Sequence, residues 1–156
     1  PVDFRAEVEQ VVTGHNRRHR QQLTVTGDRH YVVADANRVR QIARNLLSNA
    51  VRHGGPEIEI AVGGDLGGAW LEVRDSGPPI PEDRQSVMFE PYQGSKEPGL
   101  TDSIGLGLTV SRQLAVLMGG ELTYRHQHGW SVFRLRLQGS RLSSQTRPIV
   151  SAAAGR

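Results

Sequence analysis

The sequence predicts an α+β fold, a two-layer α/β sandwich in which a mixed sheet of about five strands packs on three helices. Long segments with helical periodicity are separated by shorter segments that alternate as strands do. Gly-rich turns divide these segments, and 156 residues suffice for one domain with a single core. We expect the domain to cover residues 1–138 and residues 139–156, which lose periodicity, to form a disordered tail.

Each helix has a recognisable start or end. Asp3 is placed to cap a first helix of about 15 residues, and Asp35 to cap a second that runs to about His53. A third helix is expected over 105–118, and a short one over 84–89. The expected strands are 23–26, 30–34, 57–62, 70–73, 121–126 and 130–137, with a turn at 27–28 between the first two.

The composition limits the kinds of site and partner that the chain can have. The chain has no Cys, which excludes disulfides and thiolate metal sites. Its net charge of +3 suits an anionic ligand. Few aromatic residues and no dense basic run beyond 17–20 argue against nucleic acid as a partner. No apolar run reaches membrane-spanning length, so we expect a cytoplasmic domain whose membrane anchor, if the parent protein has one, lies outside this segment.

The second helix has two distinct faces. One is an apolar stripe suited to the core, and the other, about 120° away, is polar and contains two Asn four residues apart. A polar face of this kind is either simply solvated or a set of amide oxygens aimed at a hydrated metal, with a cation for phosphate. The polar residues are Arg38, Gln41, Asn45, Asn49 and Arg52.

The run RQIARNLLSNAVRHG, residues 40–54, resembles the N box of sensor histidine kinases, which belong to the GHKL superfamily with the Bergerat fold. The resemblance implies that Asn49 holds the Mg²⁺ that bridges the ATP phosphates, with Asn45 beside it as a second catalytic residue. It also implies that Arg52 faces the phosphates and that His53 contributes to the cofactor site. One amide oxygen is enough for Mg²⁺, which keeps several waters, and Arg offers phosphate a forked cation.

Three further motifs follow in the family's order. DSGPPIP, residues 75–81, resembles the first glycine box. This implies that Asp75 accepts a hydrogen bond from the adenine amino group, that Gly77 lets the backbone approach the base, and that Ile80 lies at the cofactor. MFEPY, residues 88–92, resembles the F box.

SIGLGLTVSRQL, residues 103–114, resembles the second glycine box. Its cofactor-binding residues would open the third helix, whose N-terminal amides suit phosphate. Between the F box and this motif, residues 93–103 form a polar segment that we interpret as a lid, with Lys96 reaching the outer phosphates. A permanently disordered connector is the alternative. The residues implied by the second glycine box are Gly105, Leu106, Gly107 and Leu108.

Two positions depart from the family pattern. Pro79 and Ser103 stand where the glycine boxes have Gly. Proline fixes φ and removes an N–H, so this loop must differ from that of the family if the family Gly adopts a positive φ there. These departures are expected to affect nucleotide affinity more than the fold.

The resemblance implies that the chain binds Mg-ATP and donates the γ-phosphoryl group to a histidine on a separate dimerisation domain, with a response regulator downstream. None of the six His is followed by Glu or Asp, as the family's phosphoacceptor is. Family members that hydrolyse ATP have Glu where this chain has Asn45, and an amide is no general base. We expect the isolated fragment to be monomeric. The alternatives are a degenerate ATP-binding or interaction module and a stand-alone anti-sigma-type kinase.

Overall fold

The computed structural model describes residues 1–90 and 105–140. Within these ranges the chain forms four helices and seven strands. In chain order they are β1 Val2–Asp3, α1 Phe4–His19, β2 Val25–Thr26, β3 Tyr31–Val32, α2 Ala36–His53, β4 Ile58–Asp65, β5 Gly68–Asp75, α3 Glu82–Gln85, α4 Gly105–Leu117, β6 Glu121–Gln127 and β7 Trp130–Gln138.

A mixed five-stranded sheet forms one layer and the three long helices form the other. The strand order is β2-β4-β5-β7-β6, with β2 parallel to β4 and the other neighbours antiparallel. Helix α2 lies between α1 and α4, and all three contribute to one core with the inner face of the sheet. The predicted α+β sandwich is therefore confirmed, with α3 as an additional single-turn helix.

Local signals explain the two N-terminal helices. The carboxylate of Asp3 accepts a hydrogen bond from the Ala6 N–H, and that of Asp35 accepts one from the Arg38 N–H. Helix α2 buries the predicted apolar stripe and ends at His53, because the two glycines that follow favour leaving the helix. None of the helices within residues 1–90 and 105–140 is long and apolar enough to cross a membrane.

The first two expected strands lie in different sheets, although a turn was expected between them. β2 adds to the edge of the large sheet, whereas β3 pairs with β1 in a separate two-stranded sheet. Gly27, with φ of +105°, carries the chain across β4, where a Cβ would lie 1.7 Å from the Val62 carbonyl oxygen. Two-residue strands are too short to show alternation, so the sequence could not indicate this pairing.

The central hairpin is longer than predicted, and α3 is shifted. β4 and β5 run through the glycines to a two-residue turn, because the Trp70 ring covers Gly63, where a Cβ would lie 2.2 Å from the ring. Helix α3 begins directly after Pro81, with Glu82 in its first turn, and ends before most of the predicted range 84–89.

The end of the described chain is held by the fold. The Gly139 N–H donates to the carbonyl oxygen of Gly67, and the Ser140 N–H donates to that of Tyr31. Pairing therefore continues two residues past 138, the boundary drawn from the sequence. The rest of the expected tail, residues 141–156, lies outside the described residues.

On the outer face of the sheet, a buried carboxylate joins three strands. Glu72 on β5 is fully buried and forms ion pairs with Arg74, Arg125 and Arg134 at 2.5–3.0 Å. Burial acts to raise the pKa of Glu72, but hydrogen bonds from the three guanidinium groups hold this pKa below its usual value. The single carboxylate therefore offsets part of the positive charge where the three guanidinium groups converge on the outer face.

Candidate functional site

A cavity of about 250 Å³ opens between the C-terminal half of α2, the end of β5 and the loop that follows β5. Its walls are largely apolar, with a few polar side chains, as in small-molecule sites. The lining residues are Asn49, His53, Gly54, Asp75, Pro78, Pro79, Ile80, Pro81, Arg84, Met88, Ser131 and Phe133.

One carboxylate oxygen of Asp75 accepts hydrogen bonds from the backbone, and the other is available to a ligand. It is the last residue of β5 and is 5% exposed. Its Oδ1 accepts the N–H groups of Gly77 at 2.9 Å and Gly55 at 3.3 Å. No described residue donates a hydrogen bond to Oδ2, so this oxygen is available to a ligand in the cavity that presents an N–H donor.

Glycines let the two loops around Asp75 approach each other. A Cβ on Gly77 would lie 2.7 Å from the Gly55 nitrogen, and one on Gly54 would lie 2.6 Å from the Asp75 Cβ. Gly77 is not among the cavity-lining residues. In this structure, the lack of a Cβ at Gly77 makes room for the loop after α2 and for the Asp75 carboxylate.

Asn49 presents a buried amide to the same cavity. It was expected on a polar face away from the core, but it is 9% exposed and is the buried polar residue of α2. None of the described side chains or backbone groups hydrogen-bonds to its amide, which leaves its oxygen free for a cation or a polar ligand. Because Asn49 lines the cavity, a molecule bound there can reach this amide.

The neighbouring basic residues divide between two surfaces. His53 lines the cavity, where burial and then the charge of Arg52 lower its pKa below the usual value. Arg52 is exposed and lines a groove between α1 and α2 instead. Arg52 and His53, adjacent in the chain, therefore line two different pockets beside α2.

Asn45 joins α2 to α4 rather than lining the cavity. Its Nδ2 donates to the carbonyl oxygen of Gly107 at 3.3 Å and lies 3.1 Å from the hydroxyl of Ser111. Because the Gly107 carbonyl can only accept, the orientation of the amide is fixed, with Oδ1 turned away from α4. The N box and the second glycine box, 62 residues apart in the chain, are therefore in direct contact.

Helix α4 begins at Gly105, as predicted, and Thr109 near its N-terminus is hydrogen-bonded to the F box. The Thr109 hydroxyl donates to the carbonyl oxygen of Glu90 at 2.6 Å. Leu108 is 1% exposed and belongs to the core, and Leu106 lies in the first turn. Lys96, Ser103 and the expected lid over 93–103 lie outside the described residues.

The sequence motifs do not include the residues of β6 and β7 that line or support the cavity. Tyr124 on β6 accepts the Ile80 N–H at 2.9 Å, and Ser131 and Phe133 on β7 line the cavity. Ser131 lies directly across the sheet from Asp75. Only the strand register brings these residues to the first glycine box, so strand alternation alone could not reveal them.

The polar groups fit a metal that arrives with phosphates. No cluster of three or more His, Asp or Glu that could hold a metal ion occurs among residues 1–90 and 105–140. Asn49 offers a single amide oxygen, the type of donor that Mg²⁺ accepts while phosphates and waters supply its other ligands. The chemistry of the site therefore fits Mg²⁺ bound together with a nucleotide.

Comparison with known proteins shows which proteins this chain resembles. The family described as histidine kinase-, DNA gyrase B- and HSP90-like ATPase matches residues 34–141. The signal transduction histidine-protein kinase AfsQ2 of Streptomyces coelicolor is 36% identical over 105 residues, 66% of this chain and 20% of that protein. The sensor histidine kinase GlrK of Escherichia coli is 32% identical over 148 residues, 90% of this chain and 31% of that protein.

A solved structure shows the same fold. The ATP binding domain of PrrB from Mycobacterium tuberculosis superposes with a TM-score of 0.70 at 23% identity, covering 89% of this chain and 96% of that one. The chain spans only a fifth to a third of the two kinases' lengths, namely 20% of AfsQ2 and 31% of GlrK. The match therefore concerns one domain of such proteins.

Proposed function

The chain belongs to the family of histidine kinase-, DNA gyrase B- and HSP90-like ATPases, and on this basis we propose that it is the catalytic domain of a sensor histidine kinase. It binds Mg-ATP and donates the γ-phosphoryl group to a histidine on a separate phosphoacceptor domain. One observation carries the proposal: Asp75 and Asn49, from two different motifs, both line one cavity with a hydrogen-bonding atom left free.

Asp75 would recognise the adenine base. Its Oδ1 is occupied by two backbone N–H groups, which fixes the carboxylate plane and leaves Oδ2 to accept the adenine amino group. The apolar walls, which include Ile80 and Phe133, suit the faces of a purine. A carbonyl oxygen in place of the amino group would meet the carboxylate with no proton between them, so guanine is disfavoured.

The phosphates would extend from the base toward Asn49. Asn49 would hold Mg²⁺ through its amide oxygen, and the bound ion would neutralise charge on the phosphates during transfer. Arg52, three residues after Asn49 on the same helix, would supply a guanidinium for the phosphates. The N-terminus of α4, held against α2 by Asn45, presents backbone N–H groups that suit a phosphate.

Phosphoryl transfer is favoured over hydrolysis. Asn45 has no basic atom, and both of its amide hydrogens are directed at α4, toward Gly107 and Ser111. It can therefore take no proton from an attacking water. Transfer to an imidazole needs mainly positioning and charge stabilisation, because the nucleophile is already reactive.

The phosphoacceptor helices need a surface of the catalytic domain on which to dock. Helix α4 exposes Val116 (61%) and Leu117 (69%) next to Phe89, over which the guanidinium of Arg112 lies 5.2 Å from the ring centroid. We propose that the helices of the parent kinase that carry the phosphoacceptor dock on this apolar patch. The domain would act in the cytoplasm, where ATP and the response regulator meet it.

Calorimetric titration of the chain with ATP, with and without Mg²⁺, tests the binding step. We expect Asn49→Ala to weaken Mg-ATP binding at least about tenfold, equivalent to about 1.4 kcal/mol. Ser48→Ala, on the exposed side of the same helix, is the matched control and should bind normally. Unchanged affinity in Asn49→Ala would disprove the metal assignment.

The titration and a phosphorylation assay together distinguish the alternative functions. A wild-type chain that binds no ATP would be the degenerate module. Incubation with the parent's phosphoacceptor domain and radiolabelled ATP should give an acid-labile phosphohistidine. Acid-stable phosphoserine on a partner protein would instead indicate the anti-sigma-type kinase.

A further inference from the structure

One wall of the cavity is a proline-rich loop with a single backbone donor. Residues 78–81 read Pro-Pro-Ile-Pro, and all four line the cavity. Each proline fixes its own φ and has no N–H. Ile80 is therefore the only residue of this wall whose backbone can donate a hydrogen bond to the rest of the protein.

The Ile80 N–H is hydrogen-bonded to Tyr124, 44 residues further along the chain. The Ile80 N–H donates to the Tyr124 hydroxyl oxygen at 2.9 Å, and this hydroxyl lies 3.2 Å from the Ser131 hydroxyl. Ser131 in turn donates to the carbonyl oxygen of Pro78 at 3.3 Å. If Tyr124 donates to Ser131, each hydroxyl gives one hydrogen bond and accepts one, and the chain of bonds returns to the loop where it began.

The ring of Tyr124 is fixed independently of its hydroxyl. It packs on Phe133 with ring centroids 5.0 Å apart, and Phe133 both lines the cavity and contacts Phe89 at 6.4 Å. The hydroxyl is therefore presented to Ile80 by aromatic packing within the sheet. Removal of the oxygen alone would leave that packing in place.

We propose that Tyr124 is a positioning residue for the nucleotide: through Ile80 and Ser131 it fixes the proline wall at the distance that the bound base requires. This inference rests on the proposed nucleotide function. Pro79 occupies a position where the family pattern has Gly, so the wall of this chain is stiffened by its prolines and located by Tyr124. Without the hydroxyl, the Ile80 N–H loses its acceptor and the wall moves relative to Asp75.

Tyr124→Phe tests the proposal, with Tyr31→Phe as the matched control. Tyr31 lies in the two-stranded sheet, where its hydroxyl interacts with Arg29, and does not line the cavity. For Tyr124→Phe we expect the Kd of Mg-ATP to rise about fivefold to tenfold, the effect of losing one hydrogen bond. In the parent kinase, KM for ATP should rise with kcat unchanged, whereas Tyr31→Phe should leave both constants unaltered.

Amide hydrogen exchange supplies a readout that does not depend on binding. In the nucleotide-free chain, Tyr124→Phe should speed exchange at Ile80 while the amides of β5 and β7 keep their protection. Ile80 exchange and Mg-ATP affinity that both match the wild type would overturn the role of Tyr124. A wild-type chain that binds no nucleotide would instead refute the proposed function, while the Ile80 exchange would still report whether Tyr124 holds the loop.

Discussion

The amide nitrogen of Asn45 lies 3.3 Å from the carbonyl oxygen of Gly107 and joins the middle helix α2 to the first turn of α4. Two sequence motifs that are far apart in the chain thus form one structural unit beside the cavity. Asn45 therefore stabilises the packing of α2 against α4, in addition to the catalytic role implied by the family resemblance.

The first prediction follows from this contact. Asn45→Asp replaces the donor with a carboxylate that faces the Gly107 carbonyl, and it also changes the partner of Ser111. We expect the free energy of unfolding to fall by about 1–3 kcal/mol, measured by urea denaturation. Asn37→Asp on the same helix is the control, because Asn37 uses its side-chain oxygen as an acceptor for Arg40, and Asp keeps that acceptor. Equal stability of the Asn45→Asp variant and the wild type would show that the contact contributes nothing.

The second prediction concerns Glu72. Glu72→Gln removes the one negative charge that lies among three guanidinium groups. Because these groups are about a third exposed, we expect the free energy of unfolding, measured by urea denaturation, to fall by about 2 kcal/mol rather than by the larger cost of a fully buried pair. Glu59→Gln, an exposed carboxylate on β4, should change stability by less than about 0.5 kcal/mol.

The same cluster predicts a pH dependence. The pKa of Glu72 is lowered in the folded state, so its stabilising contribution is complete above the unfolded pKa and is lost as the pH falls through the folded pKa. The stability difference between the wild type and Glu72→Gln should therefore be constant above about pH 6 and shrink below about pH 4. A difference that grows on acidification would contradict the assigned direction.

The third prediction separates docking from nucleotide binding. Leu117→Asp places a charge on the apolar patch of α4 and should reduce autophosphorylation of the parent kinase about tenfold while leaving the Kd of Mg-ATP unchanged. Leu66→Asp alters a fully exposed Leu at the turn of the central hairpin and should leave both measurements unchanged. Full activity of Leu117→Asp would mean that the phosphoacceptor helices dock elsewhere.

The sequence predicted the elements whose signals are local. Helices α1 and α2 have an Asp cap and a continuous apolar stripe, and β6 and β7 are joined by a recognisable turn, so these elements were predicted within about two residues. The sequence did not indicate the pairing of β1 with β3 or the parallel pairing of β2 with β4. Strands of two residues form only where a partner strand hydrogen-bonds to them, and that partner is distant in the chain.

The candidate site divides in the same way. Asp75 and Asn49 were predicted to belong to the site because each lies in a motif with a recognisable spacing. Tyr124 carries no such signal, since its contact with Ile80 depends on how β5, β7 and β6 align across the sheet. The burial of Asn49 was also missed, because helical periodicity alone does not show that the end of the sheet and the loop after β5 close over that side of α2.

The central claim is that this cavity binds ATP with Asp75 reading the adenine, and calorimetry with ATP and GTP tests it most directly. In the presence of Mg²⁺ the wild-type chain should bind ATP at least about 100-fold more tightly than GTP, because the carboxylate of Asp75 accepts from an amino group and repels a carbonyl. Asp75→Asn should weaken ATP binding and reduce the preference for ATP over GTP. Asp28→Asn, which alters an exposed carboxylate in the loop between β2 and β3, should behave as the wild type. Equal affinities of the wild type for ATP and GTP, or an unchanged preference in Asp75→Asn, would contradict the account.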